Sequence, residues 1–138
     1  MKLQLIRNAT MKIEYNGQSI LTDPMLSTKF DIESFGGNSR NPTIDLPMSI
    51  EEILFGVDAV ISSHTHQDHF DTAAMNIIPS DMTILCQPGD AEKFKNNKFS
   101  SVNPVHESTI FSEISIIRTM GHHGTGEIEK AMGKTSGK

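Results

Sequence analysis

The chain has 138 residues, of which 36% are hydrophobic and 21% charged, and its formal net charge is −5 with histidine neutral. This composition is typical of a folded protein, and we expect residues 1–138 to form one domain. The negative charge argues against nonspecific nucleic-acid binding. The single cysteine, Cys86, excludes an intrachain disulfide. No apolar stretch approaches a membrane span in length. We therefore expect a cytoplasmic protein with neither nucleic acid nor a membrane among its partners.

The N-terminal region predicts three short strands followed by a long loop. Residues 3–24, "LQLIRNATMKIEYNGQSILTDP", alternate short apolar runs, and Asn16-Gly17 between two of them predicts a hairpin because both positions tolerate positive φ. Asp23-Pro24 ends the third strand, since proline cannot donate a hydrogen bond to a sheet. Residues 27–47 are polar and aperiodic, which predicts a loop of the length that often carries function.

Local capping signals predict three short helices. The segment "SIEE" at 49–52 matches a capping box, and Gly56 predicts the end of that helix. Asp71 is a second candidate cap, for a helix that runs toward a proline. Asp90 opens a third helix over residues 91–97.

Apolar segments between these helices predict further strands. They are "VDAVIS" at 57–62, "MTILC" at 82–86 and "ISIIRTM" at 114–120. Because they are apolar nearly throughout, we expect strands covered on both faces. Alternating strands and helices indicate a layered α/β fold, and the small polar tail over 133–138 is expected to be loose.

The segment "SSHTHQDHF" at 62–70 concentrates metal-binding side chain types after an apolar strand. His64 and His66 are two residues apart, so an extended backbone points both the same way. Asp68 and His69 follow as the chain turns. Imidazole and carboxylate groups suit zinc and other first-row ions. The alternative is a polar surface loop, but four such groups within six positions favour a metal site.

This histidine motif resembles that of the metallo-β-lactamase fold superfamily of metal-dependent hydrolases. "ILTDP" at 20–24 and "GHHGTGE" at 121–127 resemble two further segments of that superfamily. Together with "YNGQSILTDPML" at 15–26, they resemble its ascorbate-6-phosphate lactonase-like branch. The resemblance covers nearly the whole chain. It implies an αββα sandwich, of which this chain resembles the N-terminal half, with one mixed sheet and flanking helices.

The resemblance also implies roles for individual side chains. The implied metal ligands are His64, His66 and His123 for a first ion, with Asp68 and His69 for a second. His122 is the alternative to His123, and Asp68 is also the candidate catalytic residue that orients the nucleophile. Asp23 either fixes the orientation of a ligand or is only a turn residue before Pro24. Zinc suits these ligands best, with manganese or iron as alternatives.

The implied activity is metal-dependent hydrolysis of a small-molecule lactone, other ester or phosphoester by a metal-activated water. After His123 the sequence offers only Glu127 and Glu129 as acidic side chains, and the second half expected from the resemblance is missing. The alternative function is therefore a non-catalytic metal-binding or assembly domain. A half sandwich leaves one sheet face uncovered, so we expect either a homodimer or a complementary C-terminal half as partner.

Overall fold

A six-stranded mixed sheet forms the centre of the fold in the computed structural model, which describes residues 1–34, 37–119 and 121. The strands lie side by side in chain order: β1 (Lys2–Arg7), β2 (Thr10–Tyr15), β3 (Gln18–Thr22), β4 (Ala59–Ser62), β5 (Thr83–Cys86) and β6 (Ser101–Pro104). Strands β1 to β3 are antiparallel, whereas β3 to β6 are parallel. The carboxyl ends of the four parallel strands therefore meet at one edge of the sheet.

Tight turns connect the antiparallel strands. Asn16 and Gly17 join β2 to β3 with φ angles of 48° and 74°, and Tyr15 pairs with Gln18 across this turn. These angles are the positive values that a two-residue hairpin requires, which confirms the predicted hairpin. Strand β3 ends at Thr22, immediately before the Asp-Pro pair, as expected.

Short helices lie between the parallel strands. They are α1 (Ile50–Leu54), α2 (Thr72–Ile77) and α3 (Ala91–Asn97), the last preceded by a 3₁₀ turn over Pro88–Asp90. The capping box at Ser49 is confirmed, because its hydroxyl accepts from the Glu52 amide and the Glu52 carboxylate accepts from the Ser49 amide. Asp71 caps α2 as predicted, by accepting from the Ala74 amide at 2.7 Å. No helix among the described residues is long and apolar enough to cross a membrane.

The main core lies between the sheet and these helices. Leu21, Val60 and Ile84 point from the three central strands toward the helices and are fully buried. Phe94 of α3 is also fully buried and packs edge-on against Phe70, with ring centroids 4.9 Å apart. This face of the sheet carries the larger hydrophobic cluster of the described residues.

A two-stranded sheet covers part of the opposite face. It consists of β7 (Ser108–Phe111) and β8 (Ile114–Ile117), and its Phe111 and Ile116 pack against Ala59, Leu85 and Val105. The predicted strand at 114–120 thus exists over 114–117, but it lies in a separate sheet. The expectation that this strand is covered on both faces is wrong, because Ile117 is 71% exposed.

The α/β class, with a mixed sheet and flanking helices, is confirmed. The long loop also has the predicted character, since its regular pairing within the described residues is a single bridge between Ile32 and Asn41. Its start is held by two buried side chains. The Arg7 guanidinium donates to the carbonyl oxygens of Met25 and Ser27, and Asp71 accepts from the Ser27 amide at 2.8 Å.

Candidate metal centre

The candidate site lies where two neighbouring parallel strands end. Asp23 directly follows β3, and Ser63 directly follows β4. The Asp23 amide donates to the Ile61 carbonyl at 2.9 Å, so the backbone pairing of the two strands continues one residue past β3. This pairing places the Asp23 carboxylate beside Ser63. Its Oδ1 accepts from the Ser63 amide at 2.7 Å and its Oδ2 from the Ser63 hydroxyl at 2.8 Å.

Thr10 holds the turn that presents Asp23. The Asp23 backbone has φ 41°, in the left-handed region where aspartate is tolerated better than most residues. The fully buried Thr10 hydroxyl donates to the Asp23 carbonyl at 2.7 Å and accepts from the Met25 amide at 2.9 Å. These two hydrogen bonds fix the Asp23 carbonyl and the Met25 amide. The Asp23 side chain is 11% exposed, and its carboxylate faces the end of β4.

Three imidazole rings cluster after β4. His64 is buried, with its ring centroid 4.7 Å from that of His66 and 4.0 Å from that of His69. The backbone turns after His66, because the amides of His69 and Phe70 both donate to the His66 carbonyl. Phe70 anchors this turn in the core. The turn is what brings His69 back over His64.

Hydrogen bonds at Nδ1 orient two of these rings. His69 Nδ1 lies 3.1 Å from Asp23 Oδ2, and His64 Nδ1 lies 3.0 Å from the Ser63 hydroxyl. The hydrogen bond to Asp23 raises the pKa of His69, while burial acts in the opposite direction. Because Nδ1 of each ring faces these oxygens, Nε2 is the nitrogen placed to bind a metal ion.

Residues at the carboxyl end of β5 support the histidine segment from its other side. The Thr65 hydroxyl donates to Asp90 Oδ1 at 2.9 Å, and Gln87 donates to the second carboxylate oxygen at 2.9 Å. Asp90 does precede α3 as predicted, but its side chain does not cap that helix. Sequence analysis missed Ser63, Thr65 and this role of Asp90, because the partners are distant in sequence.

The structure brings together four of the predicted site residues: Asp23, His64, His66 and His69. Asp68 is more exposed, at 57% of its side chain, and its Oδ2 lies 3.9 Å from His69 Nε2. His122 and His123 lie outside the described residues.

Adjacent imidazoles beside a carboxylate are donors that suit zinc, manganese or iron. Within residues 1–34, 37–119 and 121, no group of three histidine, cysteine or acidic side chains is arranged to hold a metal ion. The described residues thus have the donor chemistry for a divalent ion, but they do not form a complete ligand set.

Comparison with known proteins identifies relatives of this chain. A family model described as "Beta-lactamase superfamily domain" matches residues 2–123. The UPF0173 protein YddR of Bacillus subtilis strain 168 is 41% identical over 132 residues, which cover 92% of this chain and 52% of that protein.

Solved structures give the same result. The isothiocyanate hydrolase from Delia radicum gut bacteria is 39% identical, with a TM-score of 0.86, over 94% of this chain and 52% of its own. A possible metal-dependent hydrolase from Veillonella parvula DSM 2008 is 37% identical, with a TM-score of 0.86, over 93% of this chain and 51% of its own. The chain therefore spans about half the length of these relatives.

Proposed function

Since this chain belongs to the beta-lactamase superfamily, we propose that it acts in metal-dependent hydrolysis. We also propose that it supplies the histidine ligands of the first metal ion. The observation that supports this most is the cluster of His64, His66 and His69 beside the Asp23 carboxylate. The cluster lies at the carboxyl ends of the parallel strands of the mixed sheet, and ligands bind at this edge in open α/β folds. The name of the Veillonella protein, a possible metal-dependent hydrolase, agrees with this proposal.

In this proposal His64 and His66 bind a first divalent ion together with His123, or with His122 in its place. His69 and Asp68 contribute to a second ion. Zinc is the preferred ion, with manganese and iron as alternatives. A divalent ion held by these residues would lower the pKa of a water molecule toward neutrality and so supply hydroxide as nucleophile.

The side chains of the chain then have separate tasks. Asp68 is exposed and lies beside His69, so its carboxylate is placed to orient the attacking hydroxide. Asp23 holds His69 through Nδ1, which leaves Nε2 as the nitrogen that would bind an ion. The role of Asp23 as a turn residue before Pro24 is compatible with this, because the turn presents its carboxylate.

The proposed substrates are small molecules with an electrophilic carbon or phosphorus atom. Lactones are proposed because the sequence resembles the lactonase-like branch. Other esters and phosphoesters are proposed because they undergo the same attack by water. Isothiocyanates are a further proposed class, because the isothiocyanate hydrolase is 39% identical to this chain. Their central carbon is also attacked by a nucleophile. We propose a cytoplasmic location for this reaction.

A second candidate function is a non-catalytic metal-binding or assembly domain. The observation that favours it is that the described residues form no complete ligand set. In either case the exposed Leu3 and Leu5 need a cover, supplied by a second copy of the chain or by a complementary C-terminal half.

Metal content tests the ligand assignment. We expect elemental analysis of protein purified without chelator to show zinc, manganese or iron near stoichiometry with the chain. The double variant His64→Ala/His66→Ala should lose this metal, because two imidazole ligands are removed. His106→Ala is the matched control, since His106 is exposed and lies outside the cluster. Full metal content in the double variant would refute the assignment.

Turnover distinguishes the two candidate functions. The metal-loaded chain is assayed against a lactone, a simple ester, a phosphodiester and an isothiocyanate. Turnover of any of them at ordinary enzyme rates, about 1–1,000 per second, and its loss in the double variant support a hydrolase. Stoichiometric metal without turnover of any class supports the non-catalytic domain.

A further inference from the structure

Ser63 lies at the centre of the hydrogen bonds in the candidate metal centre. Its hydroxyl oxygen is 2.8 Å from Asp23 Oδ2, 3.0 Å from His64 Nδ1 and 3.4 Å from His69 Nδ1. Asp23 Oδ2 is itself 3.1 Å from His69 Nδ1. One hydroxyl thus connects a carboxylate to a histidine from the sequence motif.

The carboxylate determines the direction of these hydrogen bonds. An ionised carboxylate only accepts, and a hydroxyl has one proton to donate. The Ser63 proton therefore goes to Asp23, which is the charged and stronger acceptor. The remaining lone pairs of the Ser63 oxygen can then only accept, so His64 Nδ1 must be the donor. A neutral histidine with its proton on Nδ1 has its lone pair on Nε2, the arrangement that metal binding at Nε2 requires.

The two histidines depend on Ser63 to different degrees. His69 Nδ1 donates directly to Asp23 Oδ2 at 3.1 Å, and its distance to Ser63 is longer, at 3.4 Å. His64 Nδ1 is hydrogen-bonded to the Ser63 hydroxyl, and this hydroxyl in turn donates to the Asp23 carboxylate. Removal of this hydroxyl should consequently change the tautomer of His64 and leave that of His69 intact.

We propose that Ser63 is a positioning residue. Because its hydroxyl donates its proton to Asp23, it can only accept from His64, and it thereby holds the His64 proton on Nδ1. The consequence for metal binding rests on the proposed function, whereas the tautomer itself does not. Ser63 is exposed, and its backbone amide already donates to Asp23 Oδ1. Ser63→Ala therefore removes the hydroxyl without opening a cavity or losing that backbone contact.

Nitrogen NMR of the histidine rings tests the proposal in metal-free protein. The chain is labelled with ¹⁵N-histidine, stripped with a chelator and measured at a pH of about 9, where ordinary imidazoles, with a pKa of about 6.5, are neutral. His64→Gln and His69→Gln assign the signals. We expect Nδ1 protonation of both rings in the unaltered chain, a shift of His64 toward Nε2 protonation in Ser63→Ala, and an unchanged His69.

Ser63→Thr is the matched control, because it retains the hydroxyl and should keep the original tautomer of His64. The proposal is overturned if His64 carries its proton on Nε2 in the unaltered chain. It is equally overturned if the His64 tautomer is the same in Ser63→Ala as in Ser63→Thr.

Competition with a metal chelator separates this inference from the proposed function. Loss of a side chain that orients a metal ligand typically weakens metal affinity about 10–100-fold. We expect a weakening of this size in Ser63→Ala and little change in Ser63→Thr. If the unaltered chain binds no metal, the proposed function fails, and the NMR result still decides the role of Ser63.

Discussion

The two faces of the central sheet carry similar apolar side chains but have different surroundings. On the helix-covered face, Leu21 and Ile84 are fully buried. On the opposite face, Leu3 and Leu5 of β1 are 54% and 66% exposed. Alternation along a strand places apolar side chains on both faces. It does not determine which of them another element covers.

Chain connectivity explains this difference. Each crossover between parallel strands brings its own helix back onto the sheet, so the first face is covered by local segments. Within the part of the chain that the structure describes, the β7–β8 sheet covers the opposite face where it packs on Ala59 and Leu85. The candidate metal centre depends on the covered face, because Phe70 anchors the histidine turn within that core.

Phe94→Ala should give the largest effect, since it opens a cavity on the helix-covered face. Phe94 is fully buried and has edge-on contacts with Phe70 and Phe99, at centroid distances of 4.9 and 5.9 Å. We expect a loss of about 3–5 kcal/mol in the free energy of unfolding, measured by urea denaturation. The control is Ile110→Ala on the 77% exposed Ile110, with an expected change within about 0.5 kcal/mol. Equal losses in both variants would contradict the difference between the faces.

Cys86 provides a chemical probe of the same difference. Burial raises the pKa of its thiol to about 11. At a pH of about 8 only roughly one molecule in a thousand then carries the reactive thiolate. We expect Cys86 to resist alkylation by iodoacetamide in native buffer and to react once urea unfolds the chain.

The comparison variant moves the thiol to the opposite face. Leu5→Cys in a Cys86→Ala background places it at a 66% exposed position, where alkylation in native buffer should be fast. Mass spectrometry over a time course measures both rates. If native Cys86 is modified as fast as the cysteine at position 5, the helix-covered face is open to solvent and does not differ from the opposite face in this respect.

The parts of the fold that were predictable carry their signals within a few residues. Asn16-Gly17 is sufficient for the hairpin, and Ser49 with Glu52 is sufficient for the start of α1. The β7–β8 turn lacked such a signal. Ser112 and Glu113 adopt φ angles of 44° and 66° without a glycine or asparagine, so the usual composition of a tight turn is absent.

The candidate site shows the same limit. The spacing of His64 and His66 was sufficient to predict that their rings lie together, because both belong to one short segment. The role of Ser63 was not predictable, since its partner Asp23 is 40 residues away in sequence. Only the parallel pairing of β3 with β4 brings the two residues together, and that pairing is a property of the tertiary structure.

Leu3→Ser/Leu5→Ser should have the smallest effect on the stability of the single chain, because both leucines are largely exposed. Surface substitutions of this kind usually change the free energy of unfolding by no more than about 0.5 kcal/mol. Their effect on association should be large. Leu3 pairs with Ile13 and Leu5 with Met11, so the two leucines belong to an apolar patch that extends across β1 and β2.

A patch of this kind can be covered by a second copy through a two-fold contact, and we propose a homodimer formed in this way. Sedimentation velocity over a concentration series should show a dimer for the unaltered chain and a monomer for the double variant. Gln4→Ser is the control, since Gln4 lies on the same strand but faces the opposite side, toward Met48. That variant should remain dimeric. A monomeric unaltered chain at micromolar concentration would exclude the second copy and leave a complementary C-terminal half as the proposed cover.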